Sequence, residues 1–227
     1  MDAVVMAGGY GTRLQPLTFA LPKPLLPVGE RPIIEILLRQ LARRGFERVW
    51  VSLGHKGDLI RAYLDQTRVD TKIYWLTEDT PLGTAGSLRL LPEDVEHCFV
   101  VNGDILTELD FAAVLTAHVA SGYAATAVVH RHDIKLPYGV FELDDGVVRE
   151  IKEKPTLRLP VATGMYALSR AAIESLPEGR CDMPDLLNRL ASAGRLRAHE
   201  MDVFWTDVAD LAAYEAVNLD SDRWADL

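Results

Sequence analysis

The sequence carries only two cysteines in 227 residues, Cys98 and Cys181, far apart in the chain. A disulfide-stapled scaffold is thereby excluded, and both are expected to be reduced thiols, Cys98 within an apolar strand. Positive charge is also short: 24 Lys and Arg against 33 Asp and Glu leave a net charge of −9 at pH 7. No basic field is available to hold nucleic acid, so cations that meet an anionic ligand must be local. No apolar run approaches the roughly 18 residues of a membrane span, which argues against membrane contact. Residues 1–7 enter a glycine turn without a basic leader or cleavage site, so the expected location is cytoplasmic. Linkers, repeats and low-complexity stretches are missing too. With 48% hydrophobic and 25% charged residues the chain can build one sizeable core, and it is expected to form a single domain over residues 1–227.

What is present is concentrated near the start. Ala3 to Ala7 is a continuous apolar stretch suited to a buried strand, followed by Gly8, Gly9 and Gly11, which let the backbone turn tightly and approach a ligand. Thr12 adds a hydroxyl, and Arg13 and Lys23 add two cations, one a fork and one a point charge, able to neutralise a polyphosphate. A dinucleotide fingerprint needs a third glycine where Leu14 stands, and a P-loop needs a Gly-Lys-Ser/Thr ending that is absent. Pro16, Pro22, Pro24 and Pro27 prevent a long helix after the turn, so an extended loop is expected.

Apolar strands then alternate with amphipathic segments. The pattern predicts strands over 2–7, 47–53, 72–77, 98–102 and 123–130, with helices over 32–44, 57–66, 84–91 and 111–121. Pro32 suits the first helical turn and Gly45 the position after the helix. After Tyr138 the pattern changes: Val140–Leu143 and Val147–Lys152 flank Asp145-Gly146, a strong hairpin signal. Strands near 162–168 and 199–205 and helices near 170–176, 184–193 and 209–219 follow. The fold class is α/β, a mostly parallel sheet flanked by helices with a smaller antiparallel portion.

Two aspartates stand out. Asp104 ends the apolar run Cys98-Phe-Val-Val-Asn-Gly-Asp, and ligands in open α/β sheets sit beyond the carboxyl ends of strands. One carboxylate with substrate phosphates is a usual way to hold Mg²⁺, whereas Asn-Gly-Asp is equally a turn whose Asp caps the next helix. Asp207, in Phe204-Trp205-Thr206-Asp207-Val208, precedes the last helix and could cap it. His130 and His132 alternate at a strand end without a third metal ligand, and read as a polar strand end.

The segments Gly8-Gly9-Tyr10-Gly11-Thr12-Arg13-Leu14, Pro16-Leu17-Thr18 and Lys23-Pro24-Leu25-Leu26-Pro27-Val28 together resemble the signature of sugar-1-phosphate nucleotidyltransferases, which make NDP-sugars. The resemblance implies a Rossmann-like domain whose smaller antiparallel half builds the sugar pocket. It also implies that Asp104 and Asp207 are Mg²⁺ ligands and that Arg13, Lys23 and Asp104 act in catalysis. Ala7, Gly8, Gly9, Gly11, Thr12 and Asn102 would lie on the nucleotide. Glu78 and the Leu82-Gly83-Thr84-Ala85-Gly86 run resemble the base-facing segment, although glycine there also suits helix capping and Glu78 a surface position.

Glu153-Lys154-Pro155 resembles the sugar-phosphate motif. Tyr138-Gly139 and Thr163-Gly164 resemble two other sugar-side segments. Two positions depart from the family: Ala162 stands where many relatives have Asn, and Ala209 stands where Gly usually follows the second aspartate. Asp182-Met-Pro-Asp185 resembles relatives acting on mannose-like and heptose phosphates, which leans the expectation to GTP. The expected partners are an NTP and a sugar 1-phosphate, with a homo-oligomer open. Alternatives are thymidylyl or uridylyl transfer, or a noncatalytic NDP-sugar-binding subunit.

Overall fold

Ala3, Val4 and Val5 are fully buried, each such valine contributing about 1.5–3 kcal/mol on leaving water, and they form the strand from which the sheet grows. The computed structural model describes residues 1–78 and 80–225. The first half runs β1 (Asp2–Met6), a short ribbon of β2 (Pro27–Val28) and β3 (Arg31–Pro32), α1 (Ile33–Arg43), β4 (Arg48–Leu53), α2 (Gly57–Leu64) and β5 (Lys72–Thr77). It continues with a single turn α3 (Gly83–Gly86), β6 (His97–Asn102), β7 (Ile105–Thr107) and α4 (Phe111–Ser121). The second half holds β8 (Ala125–Lys135), β9 (Val140–Asp144), β10 (Val147–Lys152), β11 (Thr156–Ser169) and α5 (Arg170–Glu174). It ends with α6 (Met183–Ser192), β12 (Leu196–Met201), β13 (Trp205–Asp207) and α7 (Leu211–Leu219).

Seven strands form one sheet in the order β12-β8-β11-β6-β1-β4-β5. Neighbours are parallel except around β11, which runs antiparallel to both β6 and β8. The α/β expectation holds, with the reversal placed where the sequence turns from alternating elements to a hairpin. One cluster, including Leu37, Leu41, Phe46, Phe99 and Phe111, packs on one side of the sheet. A second, including Leu88, Val100, Leu168 and Leu186, packs on the other. Asp145 and Gly146 both take positive φ, 44° and 79°, as a two-residue hairpin turn requires. Cys98 and Cys181 are free and buried, and burial pushes the Cys98 thiol up to about 12.

The larger differences from the sequence reading are these. The expected strand 199–205 is two strands: β12 lies parallel to β8, whereas β13 leaves the sheet to pair with β7. The expected helix 84–91 is one α-turn followed by a 3₁₀ turn, Ser87–Leu90, consistent with Gly83 and Gly86 being weak helix formers. Pro32 is extended at ψ 151° and precedes α1 instead of opening it. β8 and β11 run five or more residues beyond the expected ends, over an exposed stretch without the apolar pattern of a core strand.

Candidate active site

β1 and β6 are parallel neighbours with Met6 opposite Asn102, so the chain leaves both strands at the same edge of the sheet. From β1 it becomes the glycine loop, and from β6 it becomes Gly103-Asp104. Gly103 donates its N–H to Met6 O at 2.9 Å. A Cβ there would lie 3.0 Å from that oxygen and 3.4 Å from Pro24. The missing side chain thus lets Asp104 come under the loop. There Lys23, on the 3₁₀ turn Lys23–Leu25 and almost fully buried, donates from Nζ to Asp104 Oδ2. Gly11, at φ 62°, holds the loop folded: a Cβ would stand 2.9 Å from Thr18 Cγ2 and 3.2 Å from Lys23 Cβ. Thr18 Oγ1 donates to Gly11 O at 2.8 Å.

Asp207 arrives from the far end of the sequence. Antiparallel β7 and β13 place it opposite Ile105, and Val208 N–H donates to Asp104 O at 3.0 Å. Burial, and next the charge of Asp104, hold its carboxyl above the usual range, while Lys23 and Arg13 pull the other way. Neither aspartate is a helix cap. That role falls to Asp110, which accepts from Ala113 N–H at 3.2 Å at α4, and to Asp210, which accepts from Ala213 N–H at 2.9 Å at α7.

Asp104 Oδ1 is buried and has no hydrogen-bond partner among the described residues. An orphaned carboxylate oxygen beside a second, desolvated carboxylate fits a divalent cation. Among the described residues no group of three or more His, Cys, Asp or Glu is gathered, so a cation here would draw its remaining ligands from substrate and water. That division suits Mg²⁺, which keeps several waters and needs few protein carboxylates. Arg13 is exposed and has no hydrogen-bond partner among the described residues.

The remaining residues expected on the nucleotide divide into two groups. Ala7 is buried and donates to Ser52 O at 2.9 Å, which fixes the start of the loop. Gly9 and Thr12 are exposed, with open space above Gly9. Gly8 is pressed on Gly54, where a Cβ would meet Gly8 O at 2.6 Å. The same β4–α2 turn sets the His55 ring 4.9 Å from that of Tyr10, tilted by 31°, and Lys56 Nζ donates to Thr18 O at 2.8 Å and Phe19 O at 2.7 Å. This latch escaped the sequence reading, and its only signal was the spacing of Gly54 and Gly57.

Glu78 Oε2 accepts from Leu82 N–H at 2.7 Å. Gly83 has φ 82° and passes so close to Cys181 O that a Cβ would stand 2.6 Å from it. Thr84 N–H donates to Asp182 Oδ1 at 3.0 Å, and Thr84 Oγ1 accepts from Met183 N–H at 2.8 Å. The hydrogen bond from the Thr84 backbone holds the Asp182 carboxyl below its usual range. Glu78 and Thr84 therefore shape this segment through their own hydrogen bonds.

The structure brings Gly164, expected on the sugar, against Asn102, expected on the nucleotide. A Cβ on Gly164, at φ 75°, would lie 2.6 Å from Asn102 Nδ2, and the β11–β8 register slips between Ala162 and Tyr166. The Thr163 side chain is buried and Oγ1 donates to Val128 O at 2.8 Å, while Thr163 O accepts from Trp205 Nε1 at 3.0 Å. Both its hydroxyl and its carbonyl are thus engaged within the protein. The His130 ring lies 5.7 Å from that of Trp205.

Tyr138, Gly139, Glu153 and Lys154 stand apart, at the base of the β9–β10 hairpin. Gly139 lies against Glu153, whose Oε2 would be 3.1 Å from a Cβ there. Lys154, at φ 44°, is exposed with Nζ 4.0 Å from Glu153 Oε1. Among the described residues no hydrogen bond or ion pair joins this group to Lys23, Asp104 or Asp207.

Residues 2–223 match the nucleotidyl transferase family. The mannose-1-phosphate guanylyltransferase catalytic subunit beta of Danio rerio is 32% identical over 219 residues, covering 92% of this chain and 61% of that protein. A UTP–glucose-1-phosphate uridylyltransferase of Synechocystis is 31% identical over 238 residues, covering 94% of this chain and 61% of that protein. The chain spans about 61% of the length of these curated relatives. Among solved structures, HddC from Yersinia pseudotuberculosis superposes with a TM-score of 0.76 at 26% identity, covering 96% of this chain and 98% of that one. HddC has also been solved complexed with GMP-PN.

Proposed function

Since the chain belongs to the nucleotidyl transferase family, we propose that it joins an NTP to a sugar 1-phosphate, releasing pyrophosphate and an NDP-sugar, with GTP as the preferred nucleotide. The observation that carries the reading is the meeting of Lys23, Asp104 and Asp207 under the glycine loop, with Arg13 close enough to act on Asp207. A phosphate-binding turn alone would serve many ligands. Two carboxylates and two cations at one strand edge serve a transfer between phosphates.

In the reaction a phosphate oxygen of the sugar 1-phosphate attacks the α-phosphorus of the NTP, and the bond from that phosphorus to the β-phosphate oxygen breaks. The nucleophile is already an anion, so no general base is needed, and positioning with charge neutralisation supplies the acceleration. Asp104 and Asp207 would hold Mg²⁺, which supplies neutralisation of the phosphate oxygens. Glycine-loop amides and Arg13 bind the departing pyrophosphate, and Lys23, seated behind Asp104, faces the α-phosphate region. Lys154 draws in the sugar phosphate, with Glu153 beside it for the sugar. The protein is read as acting in the cytoplasm on these small molecules, without nucleic acid or membrane. No helix among the described residues is long and apolar enough to cross a membrane.

The preference for GTP draws on the mannose-1-phosphate guanylyltransferase relatives and on HddC. Guanine offers N1–H and N2–H₂ donors where uracil and thymine offer one, and a site with acceptors for both penalises a base that leaves one unpaired. Pyrophosphate release over four NTPs and several hexose and heptose 1-phosphates is the test. The highest kcat/KM is expected with GTP and a mannose-type or heptose 1-phosphate. A higher value with UTP or dTTP overturns the guanine assignment and favours the uridylyltransferase-like reading. No turnover with any pair favours a noncatalytic binding protein.

Lys154→Ala is expected to raise the KM for sugar phosphate about tenfold with a smaller change in kcat, since an exposed lysine acts on capture of the substrate more than on the reacting bond. Initial rates at fixed saturating NTP report it. An unchanged KM for sugar phosphate removes Lys154 from the site.

A further inference from the structure

The loop that follows β1 has little of its own to hold it in place. Of residues 8–21 only Leu14 and Thr18 are buried, and the backbone hydrogen bonds within the stretch are those of single turns, such as Leu14 N–H to Gly11 O at 3.0 Å and Phe19 N–H to Pro16 O at 3.0 Å. Local turns with few apolar contacts behind them open readily. Among the described residues, the hydrogen bonds that tie residues 9–21 to the rest of the chain are both made by one side chain, that of Lys56. Its Nζ meets Thr18 O and Phe19 O at the end of the 3₁₀ turn Leu17–Phe19.

Lys56 makes these bonds from a strained backbone. It has φ 58° and ψ 27°, the left-handed region that glycine enters freely and a lysine does not. Two other non-glycine residues among those described have positive φ: Asp145, in a hairpin turn that demands it, and Lys154, in the segment assigned to the sugar phosphate. No hairpin demands it of Lys56, which stands just before α2 with Gly54 and Gly57 close by. Strain of this kind persists where the surroundings fix it, and it collects at functional sites. A glycine at 56 would relax the backbone and lose both bonds to the loop.

We infer that Lys56 is a positioning residue for the transfer: by holding Thr18 O and Phe19 O it fixes the glycine loop in the one geometry in which its amides and Arg13 meet the nucleotide phosphates. The catalytic part of this inference rests on the proposed function. The hold passes along contacts that the structure shows. Thr18, whose carbonyl Lys56 binds, donates its hydroxyl to Gly11 O at 2.8 Å. Gly11 leads directly into the 3₁₀ turn Thr12–Leu14 that carries Arg13, and its α-carbon is packed so closely on Thr18 and Lys23 that no Cβ fits. The carbonyls at the end of a helical turn carry partial negative charge, so an ammonium grips them more firmly than a neutral donor would. Lys56 makes no hydrogen bond to Arg13, Lys23, Asp104 or Asp207 among the described residues, so it acts through the loop alone.

Lys56→Met keeps the stem and removes the donors. Hydrogen exchange of the full chain, read by mass spectrometry, is expected to quicken at least about tenfold in peptides over residues 9–21 and to stay unchanged over β1, β4 and β6. One of the two bonds is exposed and the other only part-buried, so water replaces them and the melting temperature is expected to stay near wild type. In steady state kcat is expected to fall about 10–10²-fold, the scale of a small misplacement, while the KM for sugar 1-phosphate holds. Lys56→Arg, whose fork can serve two neighbouring carbonyls, is expected to restore slow exchange and most of the rate. Lys56→Gly relieves the strained backbone yet lacks the donors, and is expected to behave like Lys56→Met.

Unchanged loop exchange in Lys56→Met overturns the inference, as does a Lys56→Gly variant with wild-type exchange and rate. Faster exchange across the whole chain makes Lys56 a residue of general stability and overturns it too. Faster loop exchange with kcat and both KM values unchanged shows that the reaction does not need the loop held, and overturns the positioning role. The exchange readout needs no turnover, so the clamp is tested apart from the catalytic reading: a wild-type chain inactive with every NTP and sugar 1-phosphate defeats that reading, whatever the loop does.

Discussion

Asp104→Asn is expected to lower kcat by on the order of 10³-fold at saturating Mg²⁺, the upper end of what is lost with one preorganised charge interaction in a transition state. The carboxylate has two tasks that the amide cannot share. Its Oδ2 balances the buried Lys23, and its orphaned Oδ1 is the atom best placed to receive a cation. Asparagine keeps the volume and one acceptor, so the strand end and the Gly103 contacts survive.

Loss of the ion pair with Lys23 is expected to cost about 1–3 kcal/mol of stability, because a buried ammonium keeps only a neutral partner. The two effects separate experimentally. Thermal unfolding reports the first task and single-turnover pyrophosphate release reports the second. Asp207→Asn serves as the comparison, since Asp207 makes no ion pair among the described residues. Its kcat is expected to fall similarly while its melting temperature stays near wild type. If either variant turns over at close to the wild-type rate, its carboxylate does not hold the metal.

Much of this site was legible as residues and little of it as geometry. The alternation of apolar runs with amphipathic segments carried the α/β architecture, because burial on both faces writes continuous apolar strands such as Ala3–Val5 and Phe99–Val101. Gly103 was not singled out, and Gly164 was expected only as part of a sugar-side segment, since what each accommodates, Met6 O in one case and Asn102 Nδ2 in the other, comes from another part of the chain. The ribbon that delivers Asp207 to Asp104 pairs two strands of three residues, too short for a period-2 pattern to show. Thr163, whose segment was expected on the sugar side, has its hydroxyl turned to Val128 O, next to the bulge in β11.

The exposed outer parts of β8 and β11 escaped for the opposite reason. Where no core lies beneath a strand, the sequence has no reason to mark its ends, so β8 and β11 were expected to stop where burial stops.

Arg13→Ala is expected to reduce kcat by about 10²–10³-fold with little change in fold stability, a combination that follows from where the side chain stands. Arg13 is exposed, and among the described residues it makes no hydrogen bond, so its removal leaves no buried partner unsatisfied and should stay within about 0.5 kcal/mol in stability. Yet its charge is one of those that act on the Asp207 carboxyl, to which it makes no hydrogen bond among the described residues. A cation left unpaired at a phosphate site matters most when charge grows, and in nucleotidyl transfer it grows on the leaving pyrophosphate as the α-phosphorus bond breaks. The fork geometry fits two oxygens of that group at once. Arg13→Lys should therefore recover part of the rate by restoring charge without the fork, while the KM for NTP changes less than kcat in both variants. A loss confined to the KM for NTP would make Arg13 a ground-state anchor. Equal activity in Arg13→Ala and wild type would leave the glycine-loop amides and Lys23 to bind the leaving group alone.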